Sequence, residues 1–138
     1  MYTVSMLALF PDLLSFSFLA IAVLRITAAL AFLYDAYILF MERTEISRTK
    51  VWLFNYIPEW LVSLAALVAF VIAIMLGVGM YTQAAAIVGM LITLKYAIFS
   101  KRYGSLIPFS LGTSLLLFVI CFTLLVSGAG PFAIDLPL

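Results

Sequence analysis

An all-α fold is expected of this 138-residue chain: a polytopic integral membrane protein, built as an antiparallel bundle of four transmembrane helices. Apolar residues make up 67% of the chain and charged ones 9%, a composition that a water-facing surface does not tolerate. Charges and turn residues divide the chain into four apolar runs. Crossing the hydrocarbon core takes roughly 20 apolar residues at about 1.5 Å each, so the length suits about four spans with short connections and no separate soluble domain. The basic residues outside the runs crowd into two of the three connections, as alternating loops of such a bundle require.

The opening stretch, MYTVSMLALFPDLL, has no Lys or Arg ahead of Arg25, and Pro11-Asp12 interrupts its apolar run. It lacks the positive region of a secretory signal and reads as a mature N-terminus. Pro11 and Asp12 suit the start of a helix, where an acidic residue faces the free N–H groups of the first turn. The first span is then expected over about 13–40, ending in a polar loop, MERTEISRTK.

From Trp60 to Leu94 there is no charge, a stretch too long for one span, and Gly77, Gly79, Tyr81, Thr82 and Gln83 supply the turn that divides it. This predicts spans over about 58–78 and 82–99. The segment VWLFNYIPEW ahead of the second span carries two Trp, a Phe and a Tyr, a composition suited to the headgroup level, and its Pro58 suits a first helical turn. SKRYG closes the third run, and a fourth span is expected over about 106–127, followed by the tail GAGPFAIDLPL. Residues 1–138 thus read as a single transmembrane domain. The sequence shows neither solenoid repeats nor low-complexity tracts.

Arg43, Arg48, Lys50, Lys101 and Arg102 all belong to the first and third connections. By the positive-inside rule these loops face the cytoplasm and both termini face outward. A net charge of +1 with no continuous basic face excludes a nucleic-acid binder. Histidine is absent and Cys121 is the only cysteine, so no metal site, internal disulfide or His-ligated haem is expected, and no intrinsic cofactor. Cys121 reads as a small apolar filler. Alanines at 28, 29, 31, 65, 66, 69 and 84–86 offer close-packing surfaces between helices.

Charges inside the membrane cost roughly 2.5 to 3.5 kcal/mol each on insertion scales, so Arg25, Asp35, Glu59 and Lys95 each call for a partner or a role. Arg25 and Asp35 do not pair within their helix: ten residues rise about 15 Å, and the two positions point about 80° apart. Asp35, Glu59 and Lys95 lie at similar depth near the cytoplasmic loops, where they could share a polar site. Arg25 lies deeper. Its partner is Glu59 if the first helix leaves the membrane early, and Asp135 of the tail or backbone carbonyls if it leaves late. The plainer readings are a snorkelling Lys95, an interfacial Asp35 and a structural Arg25 bridge that fixes helix register.

The first span, LRITAALAFLYDAY, resembles the opening helix of the DoxX family of small bacterial and archaeal membrane proteins. The stretch EWLVSLAALVAFVIAIMLGVGMYTQAAAIVGMLITL is similar to that family's glutamate-led helix, its Gly-aromatic-Thr turn and the helix after it. SGAGPFAIDLPL resembles the closing Gly-x-Gly, aromatic, Asp signature. The matching positions are Arg25, Glu59, Gly77, Thr82, Gly128, Gly130, Phe132 and Asp135. Pro131 stands where the family usually has a basic residue, Ala133 where it has serine, and Asp35 near its usual His-Gly.

The resemblance implies a prokaryotic cell-membrane protein associated with quinone-linked redox systems, either as the small subunit of a thiosulfate:quinone oxidoreductase or as an anchor of oxidant-defence complexes. The preferred expectation is an accessory or anchoring subunit that contacts lipid and other membrane subunits and has room for a bound quinone or lipid between its helices. The hard chemistry would then belong to another chain or a bound cofactor. A second expectation is a catalytic quinone-reducing subunit, with Arg25 orienting an anionic substrate and Glu59 or Asp35 relaying protons. A third is a small transporter, although four helices without an inverted repeat leave little room for alternating access.

Overall fold

The computed structural model describes residues 16–48, 56–103 and 109–128. Five α-helices account for it: α1 (Ser17–Met41), α2 (Arg43–Arg48), α3 (Glu59–Val78), α4 (Thr82–Tyr103) and α5 (Leu111–Ser127), with no strand among the described residues. Three segments, Leu19–Met41, Glu59–Val78 and Thr82–Lys101, are long and apolar enough to cross a membrane, since 20 residues of helix reach about 30 Å. The fourth apolar helix, α5, has 17 residues, at the short end of the spanning range.

Local chemistry sets the helix ends. Pro58 is extended (φ −64°, ψ 143°) and Glu59 opens α3, placing an acidic side chain where the first turn exposes its N–H groups. The other end of α3 closes at Gly79, whose φ of 78° lies in the left-handed region that glycine enters without a Cβ clash. The N–H groups of Gly79 and Met80 then both donate to the Met75 carbonyl, at 2.9 and 3.1 Å. Ser110 caps α5: its Oγ accepts from the Thr113 N–H at 3.3 Å, so Phe109 stands ahead of the helix although the apolar run had suggested a start near residue 106.

Between α1 and α3 the expected polar loop contains the short helix α2. Glu45 and Arg48 complement its two ends, and its one apolar residue, Ile46, is buried against the cluster of Leu39, Val62 and Ala66. A single isoleucine in a polar decapeptide gives no period to read, so the sequence pattern carries no helix signal there. The proposed start at Pro11 and Asp12, the Trp52 segment as far as Asn55, Lys50 and the tail beyond Gly128 lie outside the described residues.

The helices associate as two close pairs, α1 along α3 and α4 along α5, with lighter contact between α3 and α4 and between α1 and α5. Within each pair the contacts run in opposite senses. Ala29 approaches Gly77 while Leu39 packs in the cluster with Val62 and Ala66; Gln83 reaches the Leu125 carbonyl while Gly89 lies against Cys121. α1 and α4 share no backbone contact and meet only through side chains that cross the interior. Gly89 makes the tightest crossing: a Cβ there would lie 2.9 Å from Phe32 Cζ and 3.1 Å from Cys121 Sγ, so any larger residue displaces a fully buried ring. Small residues thus let the helices approach by dispersion contact, the force that remains when lipid is as apolar as the interior.

Candidate functional site

One turn beyond Phe32, on the same face of α1, Asp35 is fully buried. Tyr96 of α4 reaches it across the interior, its hydroxyl donating to Oδ1 at 2.9 Å and to Oδ2 at 3.1 Å. This hydrogen bond joins two helices that share no backbone contact. Phe109 packs edge-on to the Tyr96 ring with centroids 6.1 Å apart, and Tyr34 stands 6.3 Å beyond it. Tyr96 and Phe109 are buried, whereas Tyr34 is exposed.

Lys95, next to Tyr96, turns the other way. Its side chain is exposed, with Nζ 4.7 Å over the Tyr96 ring, where the negative π-face holds the ammonium. From there it also interacts electrostatically with Asp35. The site is therefore layered: a buried carboxylate, a phenol that ties it across the interior, and an ammonium on the outer face of that phenol.

Of the four charges expected inside the membrane, the structure brings together Asp35 and Lys95. Glu59 does not join them; it is exposed at the first residue of α3. Arg25 is buried, at 3% exposure, toward the other end of α1. The expected bridge from Arg25 to Glu59 does not form. Arg25 lies one turn before Ala29, which approaches Gly77, and Glu59 is eighteen residues, about 27 Å of helix, away from Gly77. Because α1 and α3 run in opposite senses, where the first helix leaves the membrane no longer matters to this pair. Asp135, the other candidate partner, lies outside the described residues.

Tyr96 is the residue that sequence reading missed. Four positions ahead of SKRYG, it looks like an interfacial aromatic. The signal was indirect: a carboxylate committed to an apolar interior needs an O–H or N–H donor at its own depth, and Tyr96 is the hydroxyl that the third run places there.

Most other hydroxyls on the helices are satisfied locally. Thr27, Thr93, Thr123 and Ser127 each donate to a carbonyl of their own helix at 2.7 to 3.0 Å. Ser114 of α5 is different: fully buried, its Oγ has no hydrogen-bond partner among the described residues. Outside the interior the helices leave apolar grooves. One of about 550 Å³ between α1 and α3 is lined by residues including Leu33, Tyr37, Phe40, Ser63 and Phe70. Another of about 280 Å³, between α3 and α4, is lined by Val71, Met75 and Val88 among others.

Compared with protein-family models, with curated proteins and with solved structures, the chain shows no match to any of the three.

Proposed function

We propose that this chain is a DoxX-like integral membrane protein of a prokaryotic cell membrane, acting as an accessory or anchoring subunit of a membrane redox complex. In this reading all four apolar helices cross the bilayer as an antiparallel bundle, with the two basic connections in the cytoplasm and both termini outside. The opposed senses of α1 against α3 and of α4 against α5 support the bundle. The charge asymmetry of the connections supports the orientation.

The observation that carries the subunit reading is the distribution of polarity. The buried carboxylate is engaged by a residue of the same chain, whereas the outward faces and both grooves are apolar. Such surfaces suit hydrophobic occupants: lipid chains, the isoprenoid tail of a quinone, or helices of another subunit. The separation of Arg25 from Glu59 weighs against a single catalytic site using both.

Extraction from native membranes in mild detergent tests the reading. A larger assembly is expected to accompany the chain, with quinone recovered in the lipid extract. A monodisperse chain carrying neither partner nor quinone overturns it.

A further inference from the structure

We infer that the groove between α1 and α3 holds an acyl chain of a zwitterionic phospholipid whose phosphate is bound by Arg43. The inference rests on the membrane placement in the reading above, names the occupant of one groove, and does not depend on the redox complex.

The groove has a direction. Leu33 and Phe40 line it on α1, and Phe70 and Ser63 line it on α3. Because the two helices run in opposite senses, Leu33 and Phe70 stand at one end, and Phe40 and Ser63 at the other. Seven residues separate the ends on each helix, about 10 Å. The Leu33 end is apolar on both walls, whereas the Phe40 end opens where α1 finishes at Met41 and the connection containing α2 begins. With that basic connection at the bilayer surface, the first end lies among acyl chains and the second at the headgroups.

A cation stands at this mouth. Arg43 is exposed at the start of α2, and its Cζ lies 5.1 Å from the centroid of the Phe40 ring, the ring that lines the groove. The ring face holds the guanidinium without consuming its N–H donors, and no acceptor among the described residues takes them. A phosphate matches such a planar fork with two parallel hydrogen bonds. The half-buried Ser63 adds a hydroxyl on the facing wall at the same end. An apolar channel of about 550 Å³ with a guanidinium at one end fits an amphiphile: a hydrocarbon tail inside and an anionic group at the mouth. The ring of a quinone is neutral and leaves the Arg43 charge uncomplemented.

Charge also chooses the headgroup. Around the mouth the described charges are mixed in sign: Arg43 and Arg48 on α2 stand with Glu42, Glu45 and the exposed Glu59 that opens α3. These carboxylates disfavour a headgroup of net negative charge and favour one that carries a cation beyond its phosphate. Phosphoethanolamine meets both demands, with the phosphate toward Arg43 and the ammonium in the field of the carboxylates.

The test uses the full chain in nanodiscs of equal parts phosphatidylethanolamine and phosphatidylglycerol, with a trace of phosphatidylethanolamine bearing a diazirine in its acyl chain. Crosslinks are mapped by peptide mass spectrometry. Labelling is expected to concentrate around Leu33 and Phe70, and Arg43→Gln should lower it about fivefold, the upper scale of one exposed charged contact. Arg48→Gln, at the other end of α2, should leave it unchanged, and unlabelled phosphatidylethanolamine should compete better than phosphatidylglycerol. Should Arg43→Gln not fold, Leu33→Trp, at a partly exposed position, decides by filling the groove and excluding the label. Labelling spread evenly over the outward faces overturns the inference, and so does an equal loss in Arg43→Gln and Arg48→Gln, which would make the effect a general surface charge. Phosphatidylglycerol competing as well as phosphatidylethanolamine, displacement by an equal amount of ubiquinone, or crosslinks between two copies in place of lipid each overturn it too, by assigning another occupant. All of these leave the subunit reading standing, since that depends on what copurifies; a chain that does not enter nanodiscs overturns both.

Discussion

Phe32 and Asp35 stand one turn apart on the same face of α1 and are both fully buried, yet the chain closes the interior around them by opposite means. Around Phe32 the closure is steric. Gly89 omits a side chain so that the ring can lie against α4, and Cys121 fills the remaining side. Around Asp35 it is polar: Tyr96 spans the interior and ties α4 to α1 through its hydroxyl. The steric level works only if volumes match, whereas the polar level works only if donors and acceptors match. Substitutions that alter one quantity and spare the other should separate the two.

The largest effect is expected from Gly89→Val. Even the first added carbon meets Phe32 Cζ at 2.9 Å and Cys121 Sγ at 3.1 Å, and the branched side chain adds two more. Overpacking of this kind typically costs 1 to 3 kcal/mol, and about 3 kcal/mol is expected here, measured as a loss of folded fraction on SDS titration from bicelles. Phe32→Ala should come next, at about 2 kcal/mol. In lipid the transfer contribution largely cancels, which leaves the cavity as the main cost. The comparison sharpens when the two positions are coupled: Phe32→Leu should offset part of the damage of Gly89→Ala by making room for its Cβ. Additive losses would show that the two do not share one volume.

At the polar level Tyr96→Phe keeps the ring that packs on Phe109 and removes the donor to Asp35. About 1 kcal/mol is expected, since intramembrane hydrogen bonds measure about 0.6 on average and up to about 1.7 kcal/mol. Tyr96→Leu should cost more, because it also empties the space between Phe109 and the carboxylate. If Tyr96→Phe matched Phe32→Ala, Tyr96 would be linking more than one acceptor.

The two levels were not equally legible in the sequence. An aspartate inside an apolar run is conspicuous, so Asp35 stood out at once, and so did Lys95 at a similar depth. The partners that complete each level did not. Gly89 lies in a helix where one glycine among alanines carries no directional signal, and its importance arises from a ring on a helix distant in sequence. Tyr96 resembles any interfacial aromatic until Asp35 is known to face it. Arg25 and Glu59 illustrate the same limit from the other side: depth counted from the loops left two arrangements open, and only the pairing of Ala29 with Gly77 decided against their bridge. Turn chemistry was easier to read, because glycine at residue 79 and proline at residue 58 act on their own backbone.

The smallest effect should fall on the outward face, and it also tests what covers that face. Ile98 lies two residues beyond Tyr96 on α4 but points away from the interior, with 65% of its surface exposed. With lipid alone around it, Ile98→Ala exchanges one apolar contact for another and creates no cavity inside the chain, so less than about 0.5 kcal/mol is expected in the same unfolding assay. A loss of more than about 1 kcal/mol in native membranes but not in bicelles would mean that a neighbouring protein packs against α4 beside the polar level. Lys95 would then lie between that neighbour and Asp35. Because Ile98 touches neither the Phe32 level nor the carboxylate, such a loss could not arise from either closure.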